Sequence, residues 1–123
     1  MIFIIDDGQS LERAFLLLLK SAGFDVKGFS SAEEFLTYSP VSDDDCIILD
    51  LRMPGMKGFE LMDKLISKGI HTPVICVNAF DDAKSREQAR KLGAVAYFTK
   101  PVDNQALIDT INWAAQSGRR IKS

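Results

Sequence analysis

The chain has 123 residues, enough for one domain with its own core and too few for two. Hydrophobic residues make up 46% and charged residues 26%, as in ordinary soluble globular proteins. With 15 basic against 17 acidic residues the net charge is −2, which gives no reason to expect direct nucleic-acid binding, since that needs a clustered basic surface.

Ile2-Phe3-Ile4-Ile5 is a short apolar run that ends on Asp6 and Asp7, and it reads as a buried parallel strand. No basic leader precedes it, so no secretory signal is expected. Ser10 to Ala22 is helical in composition and closes on Gly23. Its apolar stretch Ala14 to Leu19 is far short of the roughly 20 residues that span a bilayer. A cytoplasmic domain without membrane contact is the expectation.

Phe24 to Lys27 alternates apolar and charged residues, as an edge strand would. Ser31 precedes Ala32-Glu33-Glu34 with the spacing of a capping box, and the helix it opens is expected to end near Ser39-Pro40. Asp43-Asp44-Asp45 reads as a solvated loop, without the spacing of a calcium-binding loop. Cys46-Ile47-Ile48-Leu49 is the third strand and ends on Asp50. Met53-Pro54-Gly55 makes a turn, and Gly58 to Lys68 a helix.

Pro73 opens a strand over Val74 to Val77. Asp82 to Leu92 is helical up to Gly93, and Val95 to Phe98 is the fifth strand, closed by Lys100-Pro101. Asp103 caps a last helix that is expected to run to about Gln116 and stop at Gly118. Cys46 and Cys76 lie inside apolar runs without CxxC spacing, which predicts buried, reduced thiols.

Five strand–helix units with short connections predict an α/β fold: a doubly wound, five-stranded parallel sheet with helices on both faces, flavodoxin-like (βα)5. Residues 1–118 would form the domain, with 119–123 a tail or the start of a linker. Periodicity alone does not choose the strand order. An order of 2-1-3-4-5 brings Asp6 and Asp7 beside Asp50 at the sheet edge where such folds bind ligands. Three carboxylates and the Lys100 ammonium would there make a divalent-cation site next to a phosphoryl site.

Four pieces of the chain, at matching intervals, resemble the receiver domain of two-component response regulators: Ile4-Ile5-Asp6-Asp7, Ile48-Leu49-Asp50 through Lys57-Gly58, Pro73-Val74-Ile75 and Tyr97-Phe98-Thr99-Lys100-Pro101. The resemblance covers nearly the whole chain. It implies that Asp50 is the phosphoacceptor, whose carboxylate attacks phosphorus to form an acyl phosphate. It implies a Mg²⁺ cofactor, with Asp7 and Asp50 as direct ligands, Asp6 acting largely through water, and the backbone carbonyl of Arg52 completing the protein set. Lys100 would pair with a phosphoryl oxygen, and a cis peptide before Pro101 would aim it inward.

The chain departs from the family at Asn78, where Thr or Ser is usual. An amide can still donate to a phosphoryl oxygen, but with a different reach and different rotamers. Ala79 keeps the small residue expected next, and Phe80 and Arg52 would flank the site and control water access. Tyr97 stands at the family's aromatic switch position; the alternative is a half-buried ring with its hydroxyl in water.

The resemblance implies a histidine kinase or histidine phosphotransferase as partner. It also implies an output or homodimer face on the fourth helix, fifth strand and fifth helix, around Ala83 to Arg90, Tyr97 and Asn104. An effector domain beyond the C-terminus is a further expectation. Two other readings remain. One is an interaction module of the same fold that does not switch by phosphorylation, motivated by Asn78. The other is a phosphatase or phosphotransferase on a similar sheet, disfavoured because Arg52 stands where such an enzyme places a second catalytic Asp. Neither a GxxxxGK[ST] loop nor a GxGxxG turn for nucleotides occurs.

On the first helix, Leu11, Ala14, Phe15, Leu18 and Ala22 share a face expected to pack on the sheet. Leu16 and Leu17 fall outside it, either covered by the last helix or available for docking a kinase. His71 is expected at the surface, and Trp113 is expected to pack with Leu107, Ile108 and Ile111.

Overall fold

The computed structural model describes residues 1–6, 9–38, 45–51, 58–78 and 82–122. Five strands alternate with five helices: β1 (Ile2–Ile5), α1 (Gln9–Ser21), β2 (Val26–Phe29), α2 (Ala32–Leu36), β3 (Cys46–Asp50), α3 (Gly58–Ser67), β4 (Val74–Asn78), α4 (Ala83–Lys91), β5 (Ala96–Thr99) and α5 (Asn104–Lys122). The strands pair in parallel in the order β2-β1-β3-β4-β5. This is the doubly wound sheet expected from the sequence.

The three central strands are buried at every position because both faces of the sheet are covered. Their side chains alternate between two cores. Phe3, Ile5, Ile47, Leu49 and Cys76 meet Phe35 of α2, Leu61, Met62 and Leu65 of α3 and Ala89 of α4. Ile2, Ile4, Ile48, Ile75 and Val77 meet Leu19 of α1 and Leu107 and Ile111 of α5. At the β2 edge, Phe3, Phe29, Phe35 and Tyr38 form an aromatic cluster with centroids 5.2 to 6.0 Å apart, edge-to-face except for the tilted Phe3–Phe29 pair.

Element ends shift from expectation where capping wins over pattern. Gly23, at φ 94°, and Phe24 close α1: their N–H groups donate to the carbonyls of Lys20 and Leu19. Phe24 is thereby consumed by the cap, so β2 begins at Val26 rather than at Phe24. The helix α2 stops at Leu36, short of Ser39-Pro40, because both the N–H and the hydroxyl of Thr37 turn back to the Glu34 carbonyl. Its start is as expected, with the Ser31 hydroxyl accepting from the Glu34 N–H at 3.0 Å.

At the other end of the chain, α5 continues through Gly118 to Lys122 rather than stopping at Gly118. A helical glycine costs about 1 kcal/mol relative to alanine, which flanking helix formers can offset.

Two side-chain expectations are corrected. Among the described side chains of α1, Leu19 is fully buried and Leu16 and Leu18 half-buried, whereas Ala22, just past the helix, is exposed. Ala22 lies past the last helical turn, so it drops out of the stripe. Trp113 is 53% exposed. Among the described side chains of α5 the buried positions are 107, 111 and 114, and residue 113 falls between two of them. His71 is exposed, and Cys46 and Cys76 are buried free thiols, as expected. The Asp43-Asp44 loop, the Met53-Pro54-Gly55 turn and the side chains of Leu11, Ala14 and Phe15 lie outside the described residues.

Candidate functional site

The C-terminal ends of β1, β3, β4 and β5 bring the polar residues of the chain together. Ile5 pairs with Leu49, so Asp6 and Asp50 follow at the same level of adjacent strands. The Asp6 N–H continues the ladder by donating to the Phe29 carbonyl at 3.0 Å. Asp50 closes β3 opposite Val77 of β4. Both carboxylate residues are buried, at 1% and 3% exposure. Burying carboxylates costs several kcal/mol each unless cations and donors compensate, so this edge is built to attract positive charge.

One compensating charge is Lys100. Its backbone N–H donates to the Asn78 carbonyl at 2.8 Å, and its peptide bond to Pro101 is cis. From there Nζ crosses the end of β4 and reaches Asp50 Oδ2 at 3.1 Å, an ion pair with the carboxylate side buried and the ammonium side about one-third exposed.

Asn78 is the last residue of β4, paired with Thr99, and is 6% exposed. Its Nδ2 donates to the Tyr97 hydroxyl at 2.8 Å. Tyr97 is half-buried, and the Arg86 guanidinium of α4 lies over its ring, 4.6 Å from the centroid. The hydroxyl is therefore held by an amide rather than left to water. Sequence reading singled out Asn78 and Tyr97 separately. It missed the bond between them and the part of Arg86, since no local pattern links residues on three elements.

The site's floor includes Gly58, the first residue of α3. A Cβ there would stand 2.8 Å from Leu51 Cδ2, 3.2 Å from Leu51 Cα and 3.5 Å from the Asp50 carbonyl oxygen. Glycine lets α3 start this close to the strand that carries Asp50 without displacing Leu51. A cavity of about 350 Å³ lies at the opposite end of the sheet, between Leu65, Ile70, Pro73, Val74, Leu92 and Val95, away from the carboxylates.

Asp6 and Asp50 supply hard oxygen donors on adjacent strand ends, a donor type that suits Mg²⁺ rather than a soft metal. Among the described residues no group of three or more His, Cys, Asp or Glu side chains surrounds a metal position. Asp7, the Arg52 carbonyl, Ala79 and Phe80 lie outside the described residues. The two thiols are poor candidates for chemistry: burial pushes both Cys46 and Cys76 up to about 12. Among the described residues no helix is long and apolar enough to cross a membrane.

The family model of the response regulator receiver domain matches residues 2–112. The transcriptional regulatory protein TdiR of Thauera aromatica is 35% identical over 120 residues, which cover 98% of this chain and 53% of TdiR. The structure of the response regulator StyR aligns with a TM-score of 0.90 at 35% identity, over 98% of this chain and 61% of that one. The crystal structure of FixJ-N aligns with a TM-score of 0.86 at 33% identity, over 94% and 92%. The chain spans about half the length of the curated relatives it matches.

Proposed function

Because this chain belongs to the response regulator receiver domain family of two-component systems, we propose that it accepts a phosphoryl group on Asp50. Such a domain is a signalling module, not an enzyme turning over an outside metabolite. The observation that carries the reading is the buried Asp50 carboxylate with the Lys100 ammonium 3.1 Å from it and Asp6 on the neighbouring strand.

The donor is a phosphohistidine on a histidine kinase or phosphotransferase. A carboxylate oxygen of Asp50 attacks phosphorus. The P–N bond breaks with its electron pair on nitrogen, and the protonated ring leaves as neutral imidazole. Lys100 then holds a phosphoryl oxygen as a point charge. Asp6, Asp7, Asp50 and the Arg52 carbonyl are the residues that would hold Mg²⁺, which supplies the positive charge that offsets anion–anion repulsion.

The exposed face of α1 around Leu17 is the docking surface we assign to the kinase helices. The α4–β5–α5 face, with Arg86, Tyr97 and Asn104, is assigned to output or homodimer contacts, and an effector domain would act downstream of it. The compartment is the cytoplasm, where the kinase domain resides.

The test is labelling with acetyl phosphate and Mg²⁺, read on a phosphate-affinity gel beside Asp50→Asn. A shifted band that needs Mg²⁺ and disappears in the variant is expected. No band, with beryllofluoride also failing to bind, refutes the proposal. One observation favours a second reading, an interaction module that does not switch: the Asn78 amide is already engaged by Tyr97. Labelling of Asp50 without any shift on the α4–β5–α5 face selects that reading.

A further inference from the structure

We infer that the cavity at the N-terminal edge of the sheet is a binding site for a small, neutral, largely apolar ring compound. It lies where β4 and β5 begin and α3 and α4 end, so the length of the strands separates it from the buried carboxylates. The inference does not depend on Asp50 being the phosphoacceptor.

The site is formed by rigid parts. Its floor is Leu65 of α3, Val74 of β4 and Ala114 of α5, which are 3%, 7% and 0% exposed. The main chain at the start of β4 is held from both sides: the Pro73 carbonyl accepts from the Ile47 N–H at 2.9 Å, and the Val74 carbonyl from the Val95 N–H at 2.9 Å. The walls include Ile70 and Leu92, whose N–H groups donate to the Leu65 and Gln88 carbonyls at 2.9 and 3.1 Å. A site fixed by strand starts and hydrogen-bonded helix ends exists before a ligand arrives, so little ordering cost opposes binding.

The lining selects the chemical class. Charged residues make up 26% of the chain, yet the described residues around the cavity include no Asp, Glu, Lys or Arg. A phosphate, carboxylate or ammonium would lose its hydration there and gain no counter-ion. Two polar side chains, exposed His71 and buried Thr72, follow one another on the same loop and suit a single polar atom on an otherwise apolar molecule. The volume of about 350 Å³ is roughly twice that of an apolar cavity of about 150 Å³ that takes up benzene, which corresponds to two fused rings. Water held against such walls is short of hydrogen-bond partners, and its displacement by an apolar ring favours binding.

Indole, an uncharged two-ring molecule with one N–H, is the probe. Methyl-labelled Ile, Leu and Val are followed by NMR while indole is added to the chain. Saturable shifts of the Leu65, Ile70 and Val74 methyls are expected, with a Kd below about 1 mM, together with NOEs from the indole protons to the same methyls. The methyls of Leu19 and Leu107, in the core on the α1–α5 face, are expected to stay. Indole-3-carboxylate, the same rings with a charge, is expected to bind at least about tenfold more weakly. Ile70→Trp, which places its own ring in the cavity, is expected to weaken indole binding by at least about tenfold.

No saturable shift in the unaltered chain, NOEs to methyls elsewhere, or equal binding of the carboxylate overturns the proposal, whatever the variant does. Shifts of the same methyls that follow protein concentration without indole would assign the cavity to a second copy of the chain and overturn it as well.

Discussion

Replacing Gly58 with alanine tests how closely α3 is seated on the end of β3. The new methyl group would meet Leu51 Cδ2 at 2.8 Å and Leu51 Cα at 3.2 Å, whereas the Asp50 carbonyl oxygen at 3.5 Å is at an ordinary van der Waals distance. The Cδ2 atom is the far end of a flexible side chain and can rotate away. The Cα cannot move without shifting the backbone that follows Asp50. Overpacking of this kind costs about 1–3 kcal/mol. The gain in helix propensity is at most about 1 kcal/mol, and less at a first helical position.

A net loss of about 1–2 kcal/mol is expected for Gly58→Ala, a fall in Tm of about 4–8 °C for a chain of this size. Urea and thermal unfolding measure it. A double variant with Leu51→Ala removes the crowding from the side chain but keeps the crowding from the Leu51 backbone, so the two effects should add within about 0.5 kcal/mol. A Gly58→Ala chain as stable as the original, or a coupling as large as the single loss, refutes the argument that the backbone decides.

Leu107 is fully buried in the α1–α5 core, so Leu107→Ala should cost about 2–5 kcal/mol in urea unfolding. Cys46 and Cys76, pushed up to about 12 by burial, are about 10⁻⁴ thiolate at pH 8, against about a quarter for an ordinary thiol. Ellman's reagent should therefore find no reactive thiol in the native chain and two in denaturant. Asp82 caps α4, accepting from the Ser85 hydroxyl at 2.8 Å and the Lys84 N–H at 3.0 Å, and the Ser85 bond foremost holds its carboxyl below the usual range. Its stabilisation is complete above the unfolded value of about 3.9 and is lost as pH falls through the lower folded value. Asp82→Asn, which can cap without titrating, should remove that acid-side dependence from the urea midpoint.

The central sheet was legible because its strands are covered on both faces and so are apolar at every position, a signal that neither edge strand carries. β2 and β5 were each misplaced by one or two residues, because half-buried strands leave their ends to the neighbouring caps. On α1 the expected stripe departs from the structure at its end, where Leu19 is buried and Ala22 exposed. Four successive leucines offer several stripes of equal apolarity, and only the position of the sheet chooses among them. Trp113 shows the complementary error: residue type suggested burial, but a side chain between two core-facing positions of a helix points elsewhere whatever its apolarity.

The carboxylates and Lys100 were legible for a different reason. In a parallel sheet every strand ends at the same edge, so a polar residue that closes an apolar run is placed by the run itself. Asn78 obeys that rule through its main chain and escapes it through its side chain. Its main-chain pairing with Thr99 and with the Lys100 N–H is available to any residue at that position other than proline, so the Asp50–Lys100 pair does not depend on which side chain stands there. The carboxamide acts on a separate neighbour, the Tyr97 hydroxyl, and through it on Arg86. A substitution at residue 78 can therefore rewire the aromatic ring and α4 while the buried carboxylate keeps its cation. The strand geometry thus sets the Asp50–Lys100 ion pair on the main chain of residue 78 and the Tyr97 and Arg86 contacts on its side chain.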